Sequence, residues 1–145
     1  MKKILVFALV MLALVLSSVA MTGTKQFKDG VYKGESQSKY IAEPYWGQVT
    51  LKIKDDKVTL VSFQIVDKEK NEVFGPDYER YFKDHPEYVV QCRNELKGIK
   101  AYTKAFMKTK NLEKVDAITG ATWSYNIFSD ALKAALKKAR LTEPV

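Results

Sequence analysis

The stretch from Gly47 to Val66 constrains the fold most. Over Gly47 to Lys54, Val49, Leu51 and Ile53 alternate with Gln48, Thr50, Lys52 and Lys54. A period of two gives a strand one apolar and one polar face. Asp55-Asp56-Lys57 reads as a turn, and Val58 to Val66 resumes as a second strand rich in β-branched and apolar residues. Its apolar phase changes near Leu60-Val61, which predicts a bulge or a slip there. An isolated hairpin is marginal in water, so its apolar face needs a cover.

Two later segments have the pattern to supply that cover. Pro86 suits the first position of a helix, with Asp84 or His85 as its cap. From there to about Thr109, Val89, Cys92, Leu96, Ile99, Thr103 and Phe106 recur every three or four positions, one face of an amphipathic helix. Gly98 weakens that helix by about 1 kcal/mol relative to alanine. A last helix from about Trp123 to Arg140 buries Phe128, Leu132, Ala135, Leu136 and Ala139. Elsewhere, Val31-Tyr32 reads as a short first strand, Gly34 to Lys39 and Asp67 to Asn71 as loops, and Asp77 to Phe82 as a helical turn. Lys110 to Glu113 reads as a link, and Lys114 to Ile118 as a short extended run. The predicted class is α+β: a small antiparallel sheet or hairpin packed against two amphipathic helices.

The N-terminus has a different character. Met1-Lys2-Lys3 precedes thirteen residues, Ile4 to Leu16, without a polar side chain, and Ser17-Ser18-Val19-Ala20 follows. A basic start, an apolar run and small residues before a cut after Ala20 make residues 1–20 a signal peptide. The apolar run is short against the roughly 20 residues a spanning helix needs. The alternative is an uncleaved membrane anchor over residues 4–21. Either way the expected location is exported, periplasmic or extracellular. Residues 21–27 read as a polar leader and 28–141 as the single domain.

Composition matters chiefly through what it excludes. The 145 residues carry a formal charge of +7, but residues 1–20 hold two lysines and no acids, so the remaining 125 carry +5. The densest basic cluster, Lys133, Lys137, Lys138 and Arg140, reads as the solvated last turns of a helix. No nucleic-acid partner is expected. The single His85 and single Cys92 cannot by themselves make a His/Cys zinc site, a haem attachment motif or an iron–sulfur cluster. Redox chemistry in this chain would therefore fall to an organic cofactor. Cys92 reads as a small core hydrophobe. Asp77, Glu79, Asp84 and Glu87 lack the spacing of a cation loop. No metal site and no catalytic residue are predicted.

The segment that carries chemistry is Asp116-Ala117-Ile118-Thr119-Gly120-Ala121-Thr122-Trp123-Ser124. It reads as a strand end, a tight glycine turn and a helix start. Free N–H groups and the helix dipole favour an anion at such a start. The plainer reading is a helix cap, with Thr122 or Ser124 supplying an oxygen to an orphan N–H.

The whole pattern resembles the flavinylation motif of the FMN-binding domain family, Asp-x-x-(Ser/Thr)-Gly-Ala-Thr, matched here by Asp116, Thr119, Gly120, Ala121 and Thr122. Asp29-Gly30-Val31-Tyr32-Lys33-Gly34 is similar to that family's opening Asp-Gly-x-Tyr-x-Gly. Members include the C subunit of the sodium-pumping NADH:quinone oxidoreductase and the G subunit of the Rnf complex. The resemblance implies a covalent FMN, joined through its phosphate to the Thr122 hydroxyl by a Mg²⁺-dependent flavin transferase with FAD as donor. It implies recognition or cofactor contacts at Asp116, Thr119, Gly120 and Ala121, with the phosphate at the helix N-terminus. Trp123, Tyr125 and Trp46 are candidate neighbours of the flavin ring, and Ser124 completes the predicted cofactor-binding set. The implied function is an exported electron carrier serving membrane or extracytoplasmic redox proteins, itself the substrate of the transferase. The alternatives are a noncovalent FMN or phosphate-ligand module and an accessory subunit of a separately encoded reductase.

Overall fold

A computed structural model of the chain describes residues 25–39 and 42–141. The signal peptide or anchor, most of the leader, and Tyr40 lie outside the described residues. Among those described, no helix is long and apolar enough to cross a membrane.

The predicted hairpin forms as strands β2 (Tyr45–Lys54) and β3 (Lys57–Asp67). Asp55 and Asp56 both take positive φ, 51° and 60°, as a two-residue hairpin turn of type I′ requires. The Asp56 carboxylate accepts the Gln26 and Phe27 main-chain N–H groups at 3.0 and 2.7 Å, and so ties the segment before β1 to the turn. The irregularity lies one residue earlier than expected. Lys52 pairs with Leu60 but Ile53 with Val58, so Thr59 is the extra residue. Leu60 consequently points outward, while Val61, Phe63 and Ile65 turn toward the core.

One loop of the sequence reading is largely strand in the structure. β1 runs from Gly30 to Gln37, because Gly34 to Gln37 continue the antiparallel pairing with β2. A short β4 (Glu72–Val73) pairs with the end of β3. The sheet is a four-stranded antiparallel meander in the order β1-β2-β3-β4. Its outer face is polar: Gln64 Nε2 donates to Gln48 Oε1 and Gln48 Nε2 to Glu35 Oε1, both at 2.9 Å.

Its inner face meets two helices, α1 (Pro86–Thr109) and α2 (Thr122–Ala139). His85 is the cap position of α1 and Pro86 its first residue, as expected. α2 lies across β1 and β2 because two glycines leave room for it. A Cβ on Gly34 would fall 2.0 Å from the Ala131 carbonyl oxygen, and one on Gly47 2.2 Å from Ile127 Cγ2. Ser36 Oγ donates to the Ile127 carbonyl at 2.7 Å, fixing the same crossing. Val49, Leu51, Ile53, Tyr102, Phe106, Phe128 and Leu132 fill the main core.

A second cluster closes the other end of the sheet: Ile65, Phe74, Tyr78, Cys92 and Ile127. Pro76–Phe82 forms a 3₁₀ segment over it, where a helical turn was expected. Asp67, read as loop, is instead fully buried at the end of β3. Its carboxylate accepts the Tyr78 hydroxyl, the Lys70 ammonium at 3.0 Å and two main-chain N–H groups. A buried charge needs that many partners. Leu112–Lys114 is a short 3₁₀ turn, and residues 115–118 run to the site without pairing in the sheet, so the extended run expected there is not a strand.

Candidate functional site

The motif begins as a tight turn. The Ala121 N–H donates to the Ile118 carbonyl at 2.9 Å across Thr119-Gly120, and Gly120 has φ +81°. A type II turn needs that conformation at its third residue, and only glycine adopts it without strain. Tyr102 of α1 clasps both ends of the turn. Its hydroxyl accepts the Ile118 N–H at 3.0 Å and donates to the Ala121 carbonyl at 2.8 Å. Burial pushes the Tyr102 hydroxyl's pKa up, which keeps it protonated as the donor this clasp needs.

Helix α2 starts directly from the turn. Ala121 is its cap position and gives no side-chain cap bond, so neither Thr122 nor Ser124 caps this helix. Glu95 of α1 does so instead. Its Oε2 accepts the Ser124 N–H at 2.9 Å and the Ser124 hydroxyl at 2.5 Å. Glu95 is only 3% exposed. Burial raises its pKa, while the bonds from Ser124 and the Trp123 N–H pull the other way. The Ser124 amide in the first turn of α2 is thus already engaged by a side chain of the protein.

Gly98 sits between these two anchors on the same face of α1. A Cβ there would lie 2.7 Å from Ala121 Cβ and 3.0 Å from Ser124 Oγ. The glycine that weakens α1 in isolation is therefore the place where the motif packs against it. Glu95, Gly98 and Tyr102, at i, i+3 and i+7, together hold the motif from below.

Thr122 is left outward. It is the first residue of α2 and exposed, and among the described residues its hydroxyl makes no hydrogen bond. A shallow groove beside it is lined by Val90, Gln91, Asn94, Glu95, Gly120 and Trp123. Gln91, Glu95 and Trp123 also line a neighbouring cavity of about 380 Å³, walled by Tyr45, Phe74, Phe82, Tyr88 and Cys92. That volume falls within the usual range for small-molecule pockets, which are mostly apolar with a few polar groups. Trp123 stands edge-on to Tyr45 at 5.1 Å between centroids, and its indole N–H donates to Glu43 at 2.9 Å. The glycine turn, the groove and the aromatic cavity together offer room for a planar ligand.

The residues predicted from sequence separate into two groups. Asp116, Thr119, Gly120 and Thr122 are exposed around the turn, and Trp123 is half-buried at the cavity wall. Ala121 and Ser124 are fully buried and face α1. Tyr125 is half-buried and packs on Tyr102 against the main core. Trp46 lies on the polar face of the sheet under the Lys68 ammonium, 3.5 Å from its ring centroid. Neither Tyr125 nor Trp46 lines the cavity; Tyr45 does. The cysteine is 5% exposed, and burial raises the pKa of its thiol. In the acidic loop, Glu79 is paired bidentately with Arg93 at 2.7 and 2.9 Å. Glu95 and Tyr102 were missed. Their one signal was polarity on the apolar face of a helix, where a buried polar group demands a partner.

The FMN-binding domain family model matches residues 44–137, well over half of the chain. The structure is also similar to the crystal structure of the CPE2226 protein from Clostridium perfringens, with a TM-score of 0.55 and 26% sequence identity. That similarity covers 78% of this chain and 88% of the other. No curated protein matches the chain.

Proposed function

This chain belongs to the FMN-binding domain family, and on that premise we propose that it is an exported electron carrier whose FMN is joined through phosphate to the Thr122 hydroxyl. Its flavin-binding class follows from the family; the linkage, the export and the carrier role are our reading. The observation that carries the linkage is Thr122 itself, an exposed hydroxyl with no hydrogen bond among the described residues, on a groove that shares Gln91, Glu95 and Trp123 with the aromatic cavity. A threonine hydroxyl with no adjacent base is a poor nucleophile, so a second enzyme has to make the bond. The Mg²⁺-dependent transferase would join the Thr122 oxygen to the FMN phosphorus of FAD. The pyrophosphate P–O bond breaks, AMP leaves, and the hydroxyl proton passes to solvent.

The chain's own residues then bind and orient. Tyr45, Phe74, Phe82 and Trp123 offer flat apolar surface for the ring system. Glu43 holds the Trp123 indole N–H, which fixes one wall. Asp116 and Thr119, exposed before the turn, are available to the transferase. Bound FMN supplies one- and two-electron chemistry that no side chain here offers. Partners are the transferase and membrane or extracytoplasmic redox proteins. Cleavage after Ala20 would release a periplasmic or extracellular carrier, and retention of residues 4–21 would anchor it.

The test is production with and without a flavin transferase, followed by denaturing electrophoresis under ultraviolet light. A fluorescent band that requires the transferase is expected. Flavin present in the native protein but lost on denaturation would replace this reading with a noncovalent module.

A further inference from the structure

Residue Glu95 is a buried carboxyl on the face of α1 that packs against the start of α2. Its place in the fold is specific. It reaches from α1 to the first turn of α2, accepts the Ser124 N–H and the Ser124 hydroxyl, and forms part of the wall of both the Thr122 groove and the aromatic cavity. A helix start leaves N–H groups without intrahelical partners, and these attract any acceptor that can approach. If those groups were free, the incoming phosphate would compete with the Thr122 hydroxyl for the same ground. It would be drawn toward the helix axis instead of being presented to the hydroxyl outside it. With Glu95 in place, the amide of Ser124 is engaged from within.

We infer that Glu95 is a positioning residue for flavin attachment: its carboxyl fills the amide site at the start of α2 and so holds Thr122 outward as the acceptor hydroxyl. This rests on the proposed attachment at Thr122. The role needs an acceptor oxygen at the right reach rather than a charge. Glutamine keeps that oxygen, aspartate withdraws it by one methylene, and alanine removes it. Because Glu95 lies beneath Thr122 rather than beside the exposed Asp116 and Thr119, its loss affects the transfer step more than docking of the transferase.

The experiment measures initial rates of FMN incorporation by a flavin transferase with FAD and Mg²⁺. It varies the concentration of wild-type protein and of Glu95→Gln, Glu95→Asp and Glu95→Ala, each checked for folding by near-ultraviolet circular dichroism. The expected result is a loss of tenfold or more in kcat for the alanine and aspartate variants, with KM within about twofold of wild type. The glutamine variant should stay within about threefold of wild type. Hydrogen exchange at the Ser124 amide in the unlabelled proteins should stay slow for glutamine and become fast for alanine. Folded alanine and aspartate variants that label at the wild-type rate would overturn the inference. So would a glutamine variant that labels as slowly as alanine. If alanine and aspartate fail to fold, the glutamine variant still tests the inference, and a tenfold loss of its labelling overturns it. Failure of wild-type protein to label would instead count against attachment at Thr122.

Discussion

The Glu95 carboxyl of α1 accepts the Ser124 main-chain N–H of α2 at 2.9 Å, across 29 residues of sequence. One bond thus links the long helix to the start of the helix that bears the motif. Tyr102, two turns further along α1, clasps the turn that leads into it. Between them Gly98 admits Ala121. The motif is therefore held from one side and open on the other, with Thr122 on the open side.

Gly98→Ala tests that close approach. The added methyl would meet Ala121 Cβ at 2.7 Å, well inside contact distance. Alanine favours an isolated helix by roughly 0.8–1.0 kcal/mol over glycine, but overpacking costs roughly 1–3 kcal/mol. The substitution should lower stability despite the gain in propensity, as read by urea denaturation. An increase in stability would show that the two helices separate easily.

Thr122→Ala should leave stability almost untouched. Thr122 caps nothing and its hydroxyl has no partner among the described residues. The expected change is within about 0.5 kcal/mol, as for exposed positions generally. A loss of about 1 kcal/mol or more, typical of a lost cap, would contradict its assignment as an uncommitted hydroxyl.

Two buried carboxyls should give opposite pH dependences. Burial raises the pKa of Asp67, but the bonds from Tyr78 and Lys70 outweigh it and hold the carboxyl below the usual range. Its contribution is present above the unfolded value of about 3.9 and is lost as pH falls through the lowered folded value. Glu95 is raised by burial. Its contribution is fully present below the unfolded value of about 4.3 and is lost as pH rises through the folded one. Thermal melts from pH 2 to 8 should show wild type losing stability relative to Asp67→Asn on acidification. Relative to Glu95→Gln, wild type should lose stability as pH rises from about 4.3.

Trp123→Ala should remove one wall of the cavity. In labelled protein the flavin would then be less shielded, so its emission should rise and its visible circular dichroism should fall. Unchanged spectra would place the ring system elsewhere.

Much of the sheet and both helices were legible because they follow strict periods. Val49, Leu51 and Ile53 are buried as their alternation required, and Phe128, Leu132, Ala135 and Ala139 line the inner face of α2. β1 was cut short because Gly34 and Ser36 look like loop residues; they are small because α2 crosses there. Asp67 looked solvated because its partners Tyr78 and Lys70 are brought to it by a turn that no local pattern reveals. At the site, the motif gave the position of Thr122 but not its support. Capping is usually sought within a few residues, and here the cap comes from Glu95 on another helix. The cavity wall drew on Tyr45, Phe74, Phe82 and Tyr88, four aromatics scattered over separate elements, and only topology gathers them.

The central claim is the covalent bond at Thr122, and peptide mass mapping tests it most directly. Protein produced with a flavin transferase should yield a peptide spanning Thr119 to Trp123 that is heavier by FMN less one water, with the added mass on Thr122. The same peptide should be unmodified without the transferase and in Thr122→Ala. An unmodified Thr122, under conditions in which the transferase labels another member of the family, would contradict the account.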